Sequence, residues 1–162
     1  MMMKHLHRRR GLLTIAMSSA LTAALIGCTQ RPPFMPNPDP ALHKNASQFA
    51  ADAAHRHYEA DAPKAGDANG RVEIDYGLHR VSIVNSSTED WNDVEIWFNQ
   101  KYVIALPKIL GNASRAESID FQTIFDEHGN HLPFDGGQEP VNTVEMFKDG
   151  KMYSLGSPRL AD

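Results

Sequence analysis

One cysteine in 162 residues, Cys28, leaves no disulfide available within the chain. Glycine-rich phosphate loops are missing, and no serine sits in a Gly-x-Ser-x-Gly or other nucleophile context. Hydrolase chemistry needs a nucleophile, a base and an orienting group, so no enzymatic activity is expected. No internal repeat is visible. Basic side chains are few, 16 Lys and Arg against 20 Asp and Glu. Four of them (Lys4, Arg8, Arg9, Arg10) lie in the first 27 residues, which hold no acidic residue. Past residue 27 the balance is 12 to 20, a formal charge of −8. A nucleic-acid partner is not expected without a basic face, nor a polybasic grip on anionic headgroups. A long apolar run is also lacking. Residues 11–26 form a run of 16 interrupted by Thr14, Ser18, Ser19 and Thr22, short of the roughly 20 apolar residues that a span requires.

What is present at the start is a charged stretch, a weakly apolar run and small residues, the grammar of a secretory signal. It ends in Leu25-Ile26-Gly27-Cys28, after which Arg31-Pro32-Pro33 opens a polar stretch. This resembles the lipobox of bacterial lipoprotein precursors: Leu, a small or aliphatic residue, Gly or Ala, then Cys. The resemblance covers the first 28 residues and all four motif positions. It implies a diacylglycerol thioether on Cys28, cleavage after Gly27 and acylation of the new amino group. Each buried methylene contributes about 0.8 kcal/mol, so three acyl chains hold essentially permanently. In the same family an Asp after the lipidated Cys favours retention in the inner membrane. Thr29 therefore points to the outer membrane.

The mature chain divides by composition. Residues 28–44 read as a lipid-anchored tether, with five prolines in residues 29–40. Prolines at that density forbid helix and disfavour a central strand, and at about 3.1 Å per residue the segment reaches on the order of 35 Å. Residues 45–60 are alanine-rich, with Asn45 or Ser47 as caps and Phe49, Ala53 and His57 on one stripe, which predicts a short helix. Residues 45–70 are this helix and a linker, broken by Pro63 and the Gly66–Gly70 stretch.

From Arg71 to residue 162 the period becomes two. Val72, Ile74 and Tyr76, then Val81 and Ile83, then Val94, Ile96 and Phe98 alternate with polar neighbours. Further strands are expected at Tyr102–Leu106, ended by Pro107, and at Ile119–Thr123. A hairpin is expected from Val141–Lys148 and Lys151–Leu155 around Asp149-Gly150. Six or seven short strands imply a mainly β fold, a small antiparallel immunoglobulin-like sandwich, with a small open barrel as the other solution. Val81–Trp97, with Asn-x-Ser at Asn85 and Trp-x-x-Val at Trp91, resembles small immunoglobulin-like modules of bacterial envelope lipoproteins, including the FxLYD type.

Metal chemistry is not expected. His55 and His57 diverge on a helix. The cluster Asp126, Glu127, His128 and His131 lies across a turn, without the fixed frame of three or four ligands that zinc needs. No cofactor is expected. The aromatic residues Trp91, Trp97, Phe98 and Tyr102 carry more information. Alternation sets Phe98 with Val94 and Ile96 on the inner face. If Asn99-Gln100 is the turn, Trp97 pairs with Tyr102 on the other face. That second face is then either covered by the alanine-rich helix or exposed for a partner. Two functions follow: a noncatalytic outer-membrane lipoprotein whose periplasm-facing sandwich binds an envelope protein, or a glycan-binding module that stacks cell-wall or surface polysaccharide on Trp97 and Tyr102. Replacing Cys28 with alanine is expected to abolish acyl incorporation and normal signal removal; a Cys28→Ala chain that still takes up labelled palmitate and partitions into detergent would contradict the lipobox reading.

Overall fold

The structure is a computed structural model that describes residues 39–135, 137, 139–156 and 158–161. Cys28, the cleavage position after Gly27 and most of the proline-rich tether lie outside the described residues. Among the described residues, nine strands and one α-helix follow in order: α1 (Ala46–Ala54), β1 (Lys64–Asp67), β2 (Gly70–Asp75), β3 (Arg80–Asn85), β4 (Trp91–Phe98), β5 (Tyr102–Ile109), β6 (Glu117–Asp120), β7 (Val144–Lys148), β8 (Lys151–Ser154) and β9 (Arg159–Leu160). Two sheets pack together, one ordered β1-β8-β7-β4-β5 and the other β6-β3-β2-β9. The chain is thus mainly β and sandwich-like, as the period-two alternation predicts.

Val94, Ile96 and Phe98 from β4 meet Val72, Ile74, Val81, Ile83 and Ile119 in one buried cluster. Each is at most 1% exposed. The β7–β8 hairpin is the one foreseen. Lys148 pairs with Lys151, and Asp149 and Gly150 both take positive φ, at 51° and 72°, the geometry that Asp-Gly favours in a tight hairpin.

Several expectations are corrected. The sheets are not purely antiparallel, because β1 runs parallel to β8 and β9 parallel to β2. Both are edge strands joined to their neighbours through intervening chain rather than a turn, so no hairpin imposes the antiparallel sense. Strands begin at Lys64, inside the stretch read as linker. All four side chains of β1 are exposed, so it has no buried face to print an alternation. The helix ends at Ala54, not residue 60. Its start is as expected: Asn45 and Gln48 form a reciprocal capping box. Beyond His55 the chain leaves the helix, and Arg56 and Tyr58 reach Glu95 and Glu145. Strand β5 runs through Pro107 to Ile109. The Val103 N–H points away from β4, to the Phe125 carbonyl at 2.8 Å, and Pro107 shares that parity, so its missing donor costs no ladder bond. Residues 121–123 form a 3-10 turn rather than strand, capped by the Asp120 carboxylate accepting from Gln122 N–H.

The expected loop after β3 is built on a buried side chain. Asn85 is fully buried. Its amide donates to the carbonyls of Glu89 (2.7 Å) and Ile109 (3.2 Å), while its Oδ1 accepts from the N–H and hydroxyl of Ser87. Gly111 closes this corner, donating to the Asp90 carboxylate at 2.9 Å. That hydrogen bond and nearby Lys108 hold Asp90 below the usual carboxylate range. A Cβ at Gly111 would lie 2.7 Å from the Glu89 carbonyl oxygen and 3.0 Å from that of Ser87. Both obstacles are backbone, so Gly111→Ala is expected to cost about 1–3 kcal/mol. A urea midpoint equal to that of the unaltered chain would show that the corner yields.

Candidate functional site

Strand β4 turns Val94, Ile96 and Phe98 inward, and its outer face, where buried Trp97 follows Glu95, is where the candidate site lies. The sequence-predicted pair does not assemble there. Asn99 and Gln100 do form the turn, with φ of 51° and 59° and a bond from Lys101 N–H to the Phe98 carbonyl. Lys101, however, is an extra residue. Phe98 pairs with Tyr102 and Trp97 with Val103. A one-residue slip reverses every side chain that follows. Tyr102 therefore lies inward with Phe98, and Trp97 outward. Both are 3% exposed, so they do not present a shared stacking surface.

The outer face is covered by the chain's own α1 region. Phe49 and Ala53 from α1 and Leu42 from the preceding 3-10 turn (Pro40–Leu42) are buried in the core cluster. Tyr58 meets Trp97 edge to face, with ring centroids 5.6 Å apart and planes at 77°. Around these rings runs a polar frame. Trp97 Nε1 donates to Glu95 Oε2 at 3.1 Å, and Arg56 pairs with the other Glu95 oxygen. The Tyr58 hydroxyl donates to Glu145 at 2.6 Å, and Lys64 donates to the Tyr58 oxygen and to Glu145. Partial burial first, then the Glu145 carboxylate, pushes the Tyr58 phenol up. Sequence reasoning missed this frame. Arg56 and Tyr58 lie 39 and 87 residues from their carboxylate partners, and no local pattern marks such a pairing.

Two clefts flank the cover, with Arg56 on the wall of both. The larger, about 320 Å³, is lined by Ala41, Leu42 and Lys44 at the chain's entry and by Asp93, Ala105, Pro107 and Phe147 on the sheet, among others. The second, about 300 Å³, lies between Trp97, the hairpin tip at Gln100 and Lys101, and the turn Asp126–His128.

The histidines and acids singled out in the sequence fall into separate roles. His55 caps the helix. His57 approaches Glu127 at 3.6 Å. Buried Asp126 accepts from the N–H groups of His128 (3.0 Å) and Asn130 (2.8 Å) and from the Asn130 amide. Burial opposes its charge, yet these donors hold its carboxyl below the usual value. His131 stacks on Phe134 at 4.2 Å. Among the described residues no group of three His, Cys, Asp or Glu side chains could hold a metal ion.

A latch closes the hairpin tip over the segment before β7. Tyr102 Oη donates to Glu139 at 2.9 Å, Lys101 Nζ donates to the same carboxylate at 3.0 Å, and Asn99 Oδ1 accepts from the N–H groups of Asn142 and Thr143. Lys101 and then Tyr102 hold Glu139 below the ordinary carboxylate range. Its contribution to stability is thus complete above the unfolded carboxyl value, about 4.3, and is lost as pH falls through the lower folded value. Lys101→Met is expected to raise the Glu139 titration midpoint, read by carboxyl carbon NMR shifts; an unmoved midpoint would remove Lys101 as the cause. For the covered face, Trp97→Ala is expected to cost about 3–5 kcal/mol, whereas Tyr58→Phe, which deletes one hydroxyl, costs about 1 kcal/mol. Equal denaturant midpoints for the two variants would contradict this ordering.

In comparisons with known proteins, no family model, no curated protein and no solved structure matches the chain.

Proposed function

We propose that this chain is a noncatalytic lipoprotein of the bacterial outer membrane, anchored through acylated Cys28, whose periplasm-facing sandwich is a protein-interaction module. The observation that carries this reading is Leu25-Ile26-Gly27-Cys28 at the junction of a signal-like segment and a proline-rich tether. Among the described residues no helix is long and apolar enough to cross a membrane, so attachment through lipid needs no span from this domain. The sandwich offers one sheet face roofed by its own helix and one with polar side chains partly or fully open to solvent, among them Arg71, Glu73, Arg80 and Ser82. Across that open face Asp75 stands opposite Arg80 and Arg80 opposite Asp120 in the strand register, an array of both signs. Such a surface suits recognition of a protein by charge complementarity. The glycan reading loses its premise, since Trp97 and Tyr102 occupy opposite faces.

The test is labelling with palmitate followed by envelope fractionation and in-cell cross-linking of the full chain beside Cys28→Ala. Label on the unaltered chain, outer-membrane fractionation and a discrete cross-linked envelope protein are expected. An unlabelled soluble chain would overturn the anchor. Retention on purified cell-wall glycan, with no protein cross-linked, would replace the interaction module with the glycan reading.

A further inference from the structure

A further cleft, about 240 Å³, opens at the end of the sandwich where β1 passes into β2 and β3 into β4. Buried Trp91 and Met146 and half-buried Tyr153 form its floor, and exposed Asn69, Thr88 and Glu89 its rim. Trp91 is only 5% exposed. Gly70 makes room for its ring, since a Cβ there would lie 2.6 Å from the indole Cη2. A buried indole N–H usually finds an acceptor. That of Trp97 has one in Glu95. That of Trp91 has none among the described residues.

Further polar groups of this cleft make no hydrogen bond among the described residues: the Asn69 amide, the Thr88 and Tyr153 hydroxyls and the Glu89 carboxylate. The charges beside them are engaged. Asp90 accepts from Gly111 N–H and pairs with Lys108, and Asp67 accepts from Asn69 N–H. Lys148 pairs with Asp149 and also feels the charge of Glu89. What is left open is a mixture of donors, acceptors and hydroxyls that do both. An anion would face the carboxylates of Asp67, Glu89 and Asp90. An alkylammonium offers donors only and would leave the indole N–H without an acceptor. A neutral hydroxylated ring both donates and accepts, and its C–H face suits the apolar floor of Trp91 and Tyr153.

We infer that this cleft is a binding site for one neutral sugar ring. A ring hydroxyl accepts from Trp91 Nε1, and others meet Glu89, Asn69 and the Tyr153 hydroxyl. The site shares no residue with the roofed face around Trp97. It stands beside the protein-interaction reading and depends neither on it nor on the lipid anchor. A ligand of about 12 non-hydrogen atoms is held with a Kd on the order of a few millimolar. Binding that weak does not retain the chain on a glycan matrix, so this inference and the envelope cross-linking result stand or fall separately.

The test follows the indole N–H NMR signals of the full chain in a detergent without sugar groups. The chain has two tryptophans. Trp91 reports the cleft, and Trp97, 3% exposed under its roof, is the internal control. The probes are glucose, galactose and N-acetylglucosamine. A saturable shift of the Trp91 signal alone is expected with at least one of them. Glu89→Gln and Tyr153→Phe, which leave the indole in place, are each expected to weaken binding about three- to tenfold. If Tyr153→Phe prevents folding, Glu89→Gln on the exposed rim carries the comparison. No saturable shift with any probe at about 50 mM, roughly tenfold above the expected Kd, would overturn the inference. So would a shift that Glu89→Gln leaves unchanged, or equal shifts of both tryptophans. The same saturable Trp91 shift with acetate or methylammonium would overturn it too, by giving the cleft to an ion.

Discussion

Strand β4 must be covered on both sides. Its inner row, Val94, Ile96 and Phe98, is answered by the opposite sheet, and its outer row, dominated by Trp97, is answered by the chain's own N-terminal segment. Edge strands and open sheet faces can be polar, but a strand buried on both faces reads as a nearly continuous apolar run. The sequence Val94 to Phe98 is interrupted only by Glu95, and Glu95 is itself tied to the Trp97 indole and the Arg56 guanidinium. The cover is a nine-residue helix, too short to persist alone in water. Helix and sheet face therefore depend on each other. The capping box orients the helix start, but Phe49, Ala53 and Leu42 hold it in place.

Legibility in the sequence tracks how local the determining interaction is. The Asp149-Gly150 hairpin is fixed by two residues' tolerance of positive φ and can be read directly. The inner rows of β2, β3 and β4 can be read because burial on one face prints alternation. Strand β1 cannot, because its side chains are all exposed and its place is set by pairing with β8, far along the chain. The most consequential misreading involves one residue. Lys101 adds a position after a correctly located turn, and Tyr102 moves from the outer to the inner face. Its ring is then buried beneath Lys101, whose ammonium lies 4.7 Å from the ring centroid, and its hydroxyl bonds to Glu139. Sequence reasoning could locate the aromatic residues but not which pairs they formed, and the glycan platform depended on that pairing.

The candidate surfaces were less legible than the fold for a related reason. The resemblance of Leu25-Ile26-Gly27-Cys28 to a lipobox rests on four contiguous residues, so Cys28 stands out without any structure. A cleft is assembled from segments distant in the chain. Ala41, Asp93, Pro107 and Phe147 share no local pattern. The same holds for the aromatic group at one end of the sandwich. There Phe121 contacts Tyr76, His79 and Phe134 at centroid distances of 5.7 to 6.4 Å, although these residues come from three separate stretches.

The energetics of the roof decide what could move. Its ion pairs, Arg56 with Glu95 and Lys64 with Glu145, are partly solvated, and such pairs contribute about 0–1 kcal/mol each. Removing them loosens the frame without opening it. The apolar contacts of Trp97, Phe49 and Leu42 are worth several times more, since fully burying one large apolar side chain contributes about 1.5–3 kcal/mol. Force or a competing ligand that lifts α1 must therefore overcome apolar burial first and ion pairs second. Leu42 in the 3-10 turn and Phe49 in α1 are the first buried side chains among the described residues, so the N-terminal segment is fixed to the sandwich through them. The same packing that completes the core thus holds the roof over Trp97.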